Sequence, residues 1–223
     1  MGLLRRGMGS AKRRALNLAR RIAGPGYVYW MPKRYDDVIV PRFGEVRQQA
    51  FSDLIAAFGP DKRQPRTVID IACGSGLSTL WLAQHLPDSL VVGTDRHGSM
   101  LAEARRRVRS AGVADRCKFV RADARTVSLQ DFGLDGPADL IVASLAFSVI
   151  PDWEAVFESS IKWLAEDGTF AIFDQYAEDF YLHTYNADQS RKSWLLVEGA
   201  FQDAETTWYD NDCFLAVGRG RRG

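Results

Sequence analysis

The sequence predicts an α/β fold in three layers, with a mostly parallel seven-stranded sheet between helices and one antiparallel edge strand. Three observations predict it. From Thr67 onward, short apolar runs alternate with helix-like stretches, the pattern of a parallel sheet with crossover helices. The first run passes directly into a turn of small residues, Ala72-Cys73-Gly74-Ser75-Gly76. The last two runs are joined only by Asp210-Asn211-Asp212, a link that permits an antiparallel hairpin and no parallel crossover.

The elements follow in order. Residues 1–23 read as a basic leader in which Ala15, Leu16, Ala19 and Ile22 form a weak apolar stripe, and Gly24-Pro25-Gly26 breaks it. Four aromatics follow, Tyr27, Tyr29, Trp30 and Tyr35. Residues 45–58 are predicted helical, with Val46, Phe51, Leu54 and Ile55 on one face and Gly59-Pro60 as the stop. Strands are predicted at 67–72, 90–94, 117–121, 138–144 and 168–174. Helices are predicted at 77–86, 99–110, from Pro151 to about Ala165, and at about 188–199. Two β-rich pieces at 205–209 and 213–218 close the chain. This divides the protein into a flexible leader (1–26), a helical and aromatic cap (27–62) and one α/β domain (63–220).

Composition bounds the function. The chain has 223 residues, 46% hydrophobic and 26% charged, which suits one soluble globular domain. The net charge of +1 conceals an asymmetry. Residues 1–21 carry seven basic side chains and no acid, which leaves the rest of the chain at net −6. That balance argues against a general nucleic-acid binder. The three scattered cysteines, Cys73, Cys117 and Cys213, form neither a disulfide framework nor a zinc spacing, so a reducing cytoplasmic setting and no metal are expected. No apolar stretch approaches the roughly 20 residues of a membrane span.

The strongest chemical signal is Val68-Ile69-Asp70-Ile71-Ala72-Cys73-Gly74-Ser75-Gly76. Small residues let a ligand approach the backbone, and the helix that follows points its amide end at the same place. Asp95 closes the second strand and Asp123 follows the third. An acid at the end of the second strand of a nucleotide-binding unit accepts hydrogen bonds from ribose hydroxyls, and ligands of open α/β sheets bind at these carboxyl ends. Each acid alone reads better as a helix cap or a loop residue; three acids at successive strand ends, Asp70, Asp95 and Asp123, point instead to a ligand site.

Taken together these motifs resemble those of the class I S-adenosylmethionine-dependent methyltransferases, a Rossmann-like superfamily. Asp70 to Gly76 is similar to the family's first motif. Val91 to Asp95 with Ser99-Met100-Leu101 is similar to its second, Arg121 to Ala124 to its third, Asp139 to Ser144 to its fourth strand, and Trp163 to Phe173 to its fifth-strand region. The resemblance implies S-adenosylmethionine as cofactor and Asp70, Gly74, Ser75, Gly76, Asp95, Arg96, Met100, Asp123, Ala124 and Ser144 as the residues that bind it. It gives Asp95 the ribose, Met100 a flank of the adenine, Asp123 the adenine amino group, and Gly74 and Gly76 the close approach to the backbone. Two positions depart from the pattern: Ala72 stands for the first glycine, and Glu166-Asp167-Gly168 for a Pro-Gly-Gly turn.

Leu145 to Trp153 lacks the Asn/Asp-Pro-Pro-Tyr/Phe signature of adenine-amino methyltransferases. Its apolar, aromatic character is similar to enzymes acting on small-molecule or lipid-like acceptors. The acceptor pocket is expected from the N-terminal aromatics and from Asp174, Gln175, Tyr176, Phe180, Tyr181, His183 and Tyr185. His183 and Tyr176 are the candidate bases, though methyl transfer chiefly requires alignment of the acceptor and exclusion of water. Residues 1–23 read as a peripheral membrane contact, an organelle-targeting segment or a soluble tail. A non-catalytic S-adenosylmethionine-binding regulator and an NAD-dependent oxidoreductase are the competing readings. The second is disfavoured because Thr79 fills the third small position of the dinucleotide fingerprint.

Overall fold

The computed structural model describes residues 32–58, 64–176 and 190–222. The leader, Tyr27, Tyr29, Trp30, Phe180, Tyr181, His183 and Tyr185 lie outside them. Seven strands form one sheet: β1 (Thr67–Ile71), β2 (Leu90–Asp95), β3 (Cys117–Arg121), β4 (Ala138–Ser144), β5 (Leu164–Gln175), β6 (Phe201–Tyr209) and β7 (Cys213–Arg221), in the order β3-β2-β1-β4-β5-β7-β6. The first five run parallel, and β7 is inserted antiparallel between β5 and β6. Asn211 and Asp212, at φ 61 and 57, turn the hairpin that the short link requires. Both accept left-handed backbone more readily than most residues.

Helices cover both faces. On one side lie α1 (Pro32–Ala56), α2 (Leu77–His85) and α3 (Gly98–Ser110); on the other lie α4 (Trp153–Ser160) and α5 (Trp194–Ala200). The strands alternate between the two cores. Val68, Val91, Val142 and Phe173 pack with Phe43, Phe51 and Leu82, whereas Ile69, Val92, Ile141 and Ile172 pack with Phe147, Phe157 and Phe201. Burial on both faces explains why the central strands read as continuous apolar runs rather than as alternation.

Two expectations are corrected. The first helix begins at Pro32, not near residue 45, and contains Pro41. Ile39, Phe43, Ala50, Phe51 and Leu54 are all buried at helical spacing, so one apolar face runs through the proline. Pro32 sits at the helix start, where a missing N–H costs nothing. Pro41 and Asp37, whose carbonyl loses its partner, are both exposed. The helix expected to reach Ala165 ends at Ser160, passes through a short 3₁₀ turn, and gives way to β5 at Leu164. Tertiary contacts decide this. Trp163 packs edge-on against Phe132 at 5.1 Å, and Leu164 pairs with Ala138 ahead of a register shift. The third helix segment is helical over Trp194–Ala200; residues 188 and 189 lie outside the described residues.

Gly76 holds the sharpest packing constraint near the site. Its φ is +81°, and a Cβ there would lie 2.6 Å from the Ala104 Cβ. Its role is therefore to let the start of α2 meet α3. Gly133, at φ +60°, has nothing within 4 Å of an added Cβ. Gly76→Ala should cost about 3 kcal/mol, from left-handed strain plus overpacking, and Gly133→Ala about 1 kcal/mol from strain alone. Urea unfolding of both variants measures the difference, and equal losses would refute the packing role.

Candidate functional site

A cleft of about 750 Å³, counted out to solvent, opens at the carboxyl ends of β1, β2 and β4 beside the segment after β3. Its wall is the turn between β1 and α2. Ala72, Gly74 and Gly76 all adopt left-handed backbone there, at φ 53, 55 and 81. The alanine that replaces the expected glycine thus keeps the glycine-like conformation, at a strain of roughly 1–2 kcal/mol. The turn is tied to β2, with the Cys73 amide donating to the Thr94 carbonyl at 2.8 Å.

Asp95 organises the cleft. One carboxylate oxygen accepts from the Gly74 amide at 3.0 Å and the other from the His97 amide at 2.8 Å. It therefore joins the glycine turn to the start of α3. Burial raises its pKa, while the two amides and then the nearby His97 and Arg96 oppose the shift. Arg96, Met100 and Ala124 line the same cleft, as does Asp123. Arg125 forks onto Asp123 at 2.9 and 2.6 Å and lies 3.7 Å from Asp152. Hydrogen bonding by Arg125 holds the Asp123 carboxyl down at about 2.

Asp70 lies beneath the turn, not on the cleft. It is fully buried and accepts from the Thr79 hydroxyl at 2.6 Å, which explains the threonine at the third small position. Ser75 also turns inward. Its hydroxyl donates to Asp36 at 2.6 Å, and its carbonyl accepts from Arg107 at 3.1 Å. Ser144 ends β4 with a buried hydroxyl. Of the predicted cofactor residues, Gly74, Asp95, Arg96, Met100, Asp123 and Ala124 line the cleft, whereas Asp70, Ser75, Gly76 and Ser144 stand behind it. Tyr176 lies apart from the cleft lining, packed edge-on against Trp194 at 4.8 Å and near Trp208.

Several participants escape sequence reasoning. Tyr35, expected in the acceptor pocket with the other N-terminal aromatics, lines the cleft next to Gly74, a neighbour that the sequence did not indicate. Asp36 forms an ion pair with Arg107 of α3 and so staples α1 over the turn. The Leu145–Pro151 wall is held from behind. Asp174 accepts from the Ser148 amide at 2.9 Å, and Arg191 donates to the Phe147 and Ile150 carbonyls, each at 2.6 Å. Leu145 itself is left-handed, at φ 53, a strained residue in the cleft lining. These pairings span long sequence distances and leave no local signal.

The sheet order, the turn after β1 and the acid at the end of β2 define a nucleotide-type site at the carboxyl ends of the strands. Residues 68–168 match the family model of a methyltransferase domain. The chain is 35% identical to a trans-aconitate 2-methyltransferase of Variovorax paradoxus over 64% of its own length and 49% of that protein. It is 31% identical to a release factor glutamine methyltransferase of Chlorobaculum tepidum over 60% of its length and 44% of that protein. It thus spans about half the length of the curated relatives it matches. The plantazolicin methyltransferase BpumL, solved with S-adenosylhomocysteine, shares the fold at a TM-score of 0.63 and 14% identity, covering 97% of this chain and all of that one.

Burial raises the Asp70 carboxyl from 3.8 to about 7, against opposition from the Thr79 hydroxyl and then Arg47. The folded chain therefore retains a proton that the unfolded chain releases between about pH 4 and 7. For an acid raised in this direction, stability is lost as pH rises through that window. Roughly three pH units at about 1.4 kcal/mol each bound the loss near 4 kcal/mol. Asp70→Asn should gain stability relative to the natural chain as pH rises from 4 to 7. Parallel stability profiles in urea titrations at several pH values would contradict this.

Proposed function

We propose that this chain transfers a methyl group from S-adenosylmethionine to a small-molecule acceptor, with the cofactor bound in the cleft after β1, β2 and β4. The observation that carries the proposal is Asp95. This acid is held by two backbone amides at the end of β2 and lines the cleft at the carboxyl ends of the strands. A buried polar atom supports the fit. Thr94 Oγ1, near the end of β2 and in the cleft lining, has no hydrogen-bond partner among the described residues. A buried polar atom left unpaired costs about 1–3 kcal/mol, so a polar ligand or ordered water at these strand ends is favourable.

In this reading Asp95 accepts from the ribose hydroxyls. Met100 and the apolar Leu145, Val149 and Ile150 flank the adenine, and Asp123 accepts from its amino group while sharing its carboxylate with Arg125. Gly74 admits the amino-acid end, and Ser144 backs the wall from the end of β4. Asp70, Ser75 and Gly76 act through the shape of the turn. The cofactor supplies a methyl group already activated by its sulfonium. The protein's own contribution is alignment and exclusion of water. Tyr35 and the α1 staple cover the turn, and Asp174 and Arg191 fix the wall that an acceptor would meet. Asp174 has both oxygens committed to amides, which suits positioning better than proton transfer. The apolar Leu145–Pro151 wall, and relatives named for trans-aconitate and plantazolicin, support a small-molecule acceptor over an adenine base in nucleic acid.

The regulatory reading shares the cofactor and differs in turnover. Transfer of labelled methyl groups to any member of a panel of small carboxylic acids and phenols separates the two. For the site itself, Asp95→Asn should weaken S-adenosylhomocysteine binding at least ~10-fold, the value of one charge-assisted hydrogen bond, and lower stability by about 1–3 kcal/mol, because its NH2 group cannot accept from one of the two backbone amides. A folded variant of unaltered affinity would remove Asp95 from the site.

A further inference from the structure

We propose that the face formed by α3 and the edge strand β3 docks on an anionic lipid surface. Residues 96–121 contain eight basic side chains and two acids. Outside this stretch and residues 1–21, the chain carries fourteen basic residues against twenty-six acids. The positive charge of the folded domain is thus gathered on one edge of an otherwise acidic body.

The placement of these side chains makes the charge available. Leu101, Ala104 and Val108 bury one side of α3, which turns Arg105, Arg106 and Arg109 outward; Lys118 and Arg121 are exposed on β3. Their hydrogen bonds go mainly to neutral carbonyls. Arg105 donates to Phe119 at 2.9 Å, Lys118 to Gly133 at 3.3 Å and Arg121 to Arg96 at 3.2 Å. A carbonyl orients a cation without cancelling its charge. Arg106 is the exception, paired with Glu103 at 2.6 Å. Arg107 turns away and pairs with Asp36 of α1.

Three features favour a membrane surface as the occupant. First, the exposed large apolar side chains among the described residues, Val40, Leu195 and Trp208, lie on α1, α5 and β6. Phe119 is covered by Arg105, 5.8 Å from its ring. The face therefore offers charge without a stacking platform for unpaired bases. Second, a planar anion touches one face of the molecule, whereas a long polyanion would run on to the acidic remainder and be repelled. Third, residues 1–21 carry seven further basic side chains and no acid, so the same chain holds a second cationic segment suited to an anionic surface. Clusters of this size bind anionic leaflets, each residue near the surface contributing roughly a fivefold factor.

The test is co-sedimentation of the full chain with phosphatidylcholine vesicles, with and without about one-third phosphatidylserine, at low and high salt. The natural chain should partition onto the phosphatidylserine vesicles at low salt and leave them at high salt. Replacing Arg105, Arg109 and Lys118 with Glu should weaken partitioning by more than ~100-fold with an unchanged thermal midpoint. If that variant fails to fold, the same three positions as Gln should give about a hundredfold loss. Undiminished partitioning of the folded variant would assign binding to residues 1–21 alone and overturn the proposal. So would equal partitioning onto uncharged vesicles, or tighter binding to transfer RNA than to phosphatidylserine vesicles in the same buffer.

Discussion

The cleft depends on one carboxylate bridging two backbone segments. Asp95 closes β2 and accepts the amides of Gly74 and His97, so the glycine turn and the first residues of α3 are set by the same side chain. The rest is arranged around that bridge. The turn can adopt its three left-handed residues because Gly76 leaves room for Ala104. The β1 acid beneath it is held by Thr79. An acid that serves the fold through one set of lone pairs can meet a ligand with the others, and site geometry and scaffold stability become the same interaction.

A second layer comes from outside the βαβ unit. α1 lies on the turn through Asp36, which contacts both Ser75 and Arg107, and reaches the far end of the sheet where Tyr209 donates to Asp53 at 2.7 Å. On the other side, Asp174 and Arg191 hold the Leu145–Pro151 wall by its amides and carbonyls. The cofactor side of the cleft is thus built on strands and a turn. The side where we propose the acceptor enters is built on a strained loop and a capping helix, held by charged side chains. Substrate identity can change through the second group without disturbing the first.

The parallel half of the fold was legible because buried central strands leave unbroken apolar runs; β3 and β4 have the bounds read from the sequence. The three acids at successive strand ends were legible for the same reason. The start of α1 was hidden by Pro41, since a proline between two stretches of a single apolar face reads locally as a break. The end of α4 was hidden because Trp163 obeys Phe132 and Leu164 obeys Ala138, contacts with no local signature. Within the site, the sequence identified residue types and not directions. Asp70, Ser75 and Gly76 belong to the right motif yet face the scaffold, while Tyr35 and Asp36 reach the turn from a helix whose extent could not be read.

The central claim is that the Asp95 cleft takes the adenosyl-sulfur cofactor rather than a dinucleotide. Calorimetric titration of the full chain with S-adenosylmethionine and S-adenosylhomocysteine, beside NAD, tests it most directly. Micromolar binding of the sulfur compounds with no heat from NAD is the predicted result. NAD binding, or silence from all three with a folded protein, would contradict it.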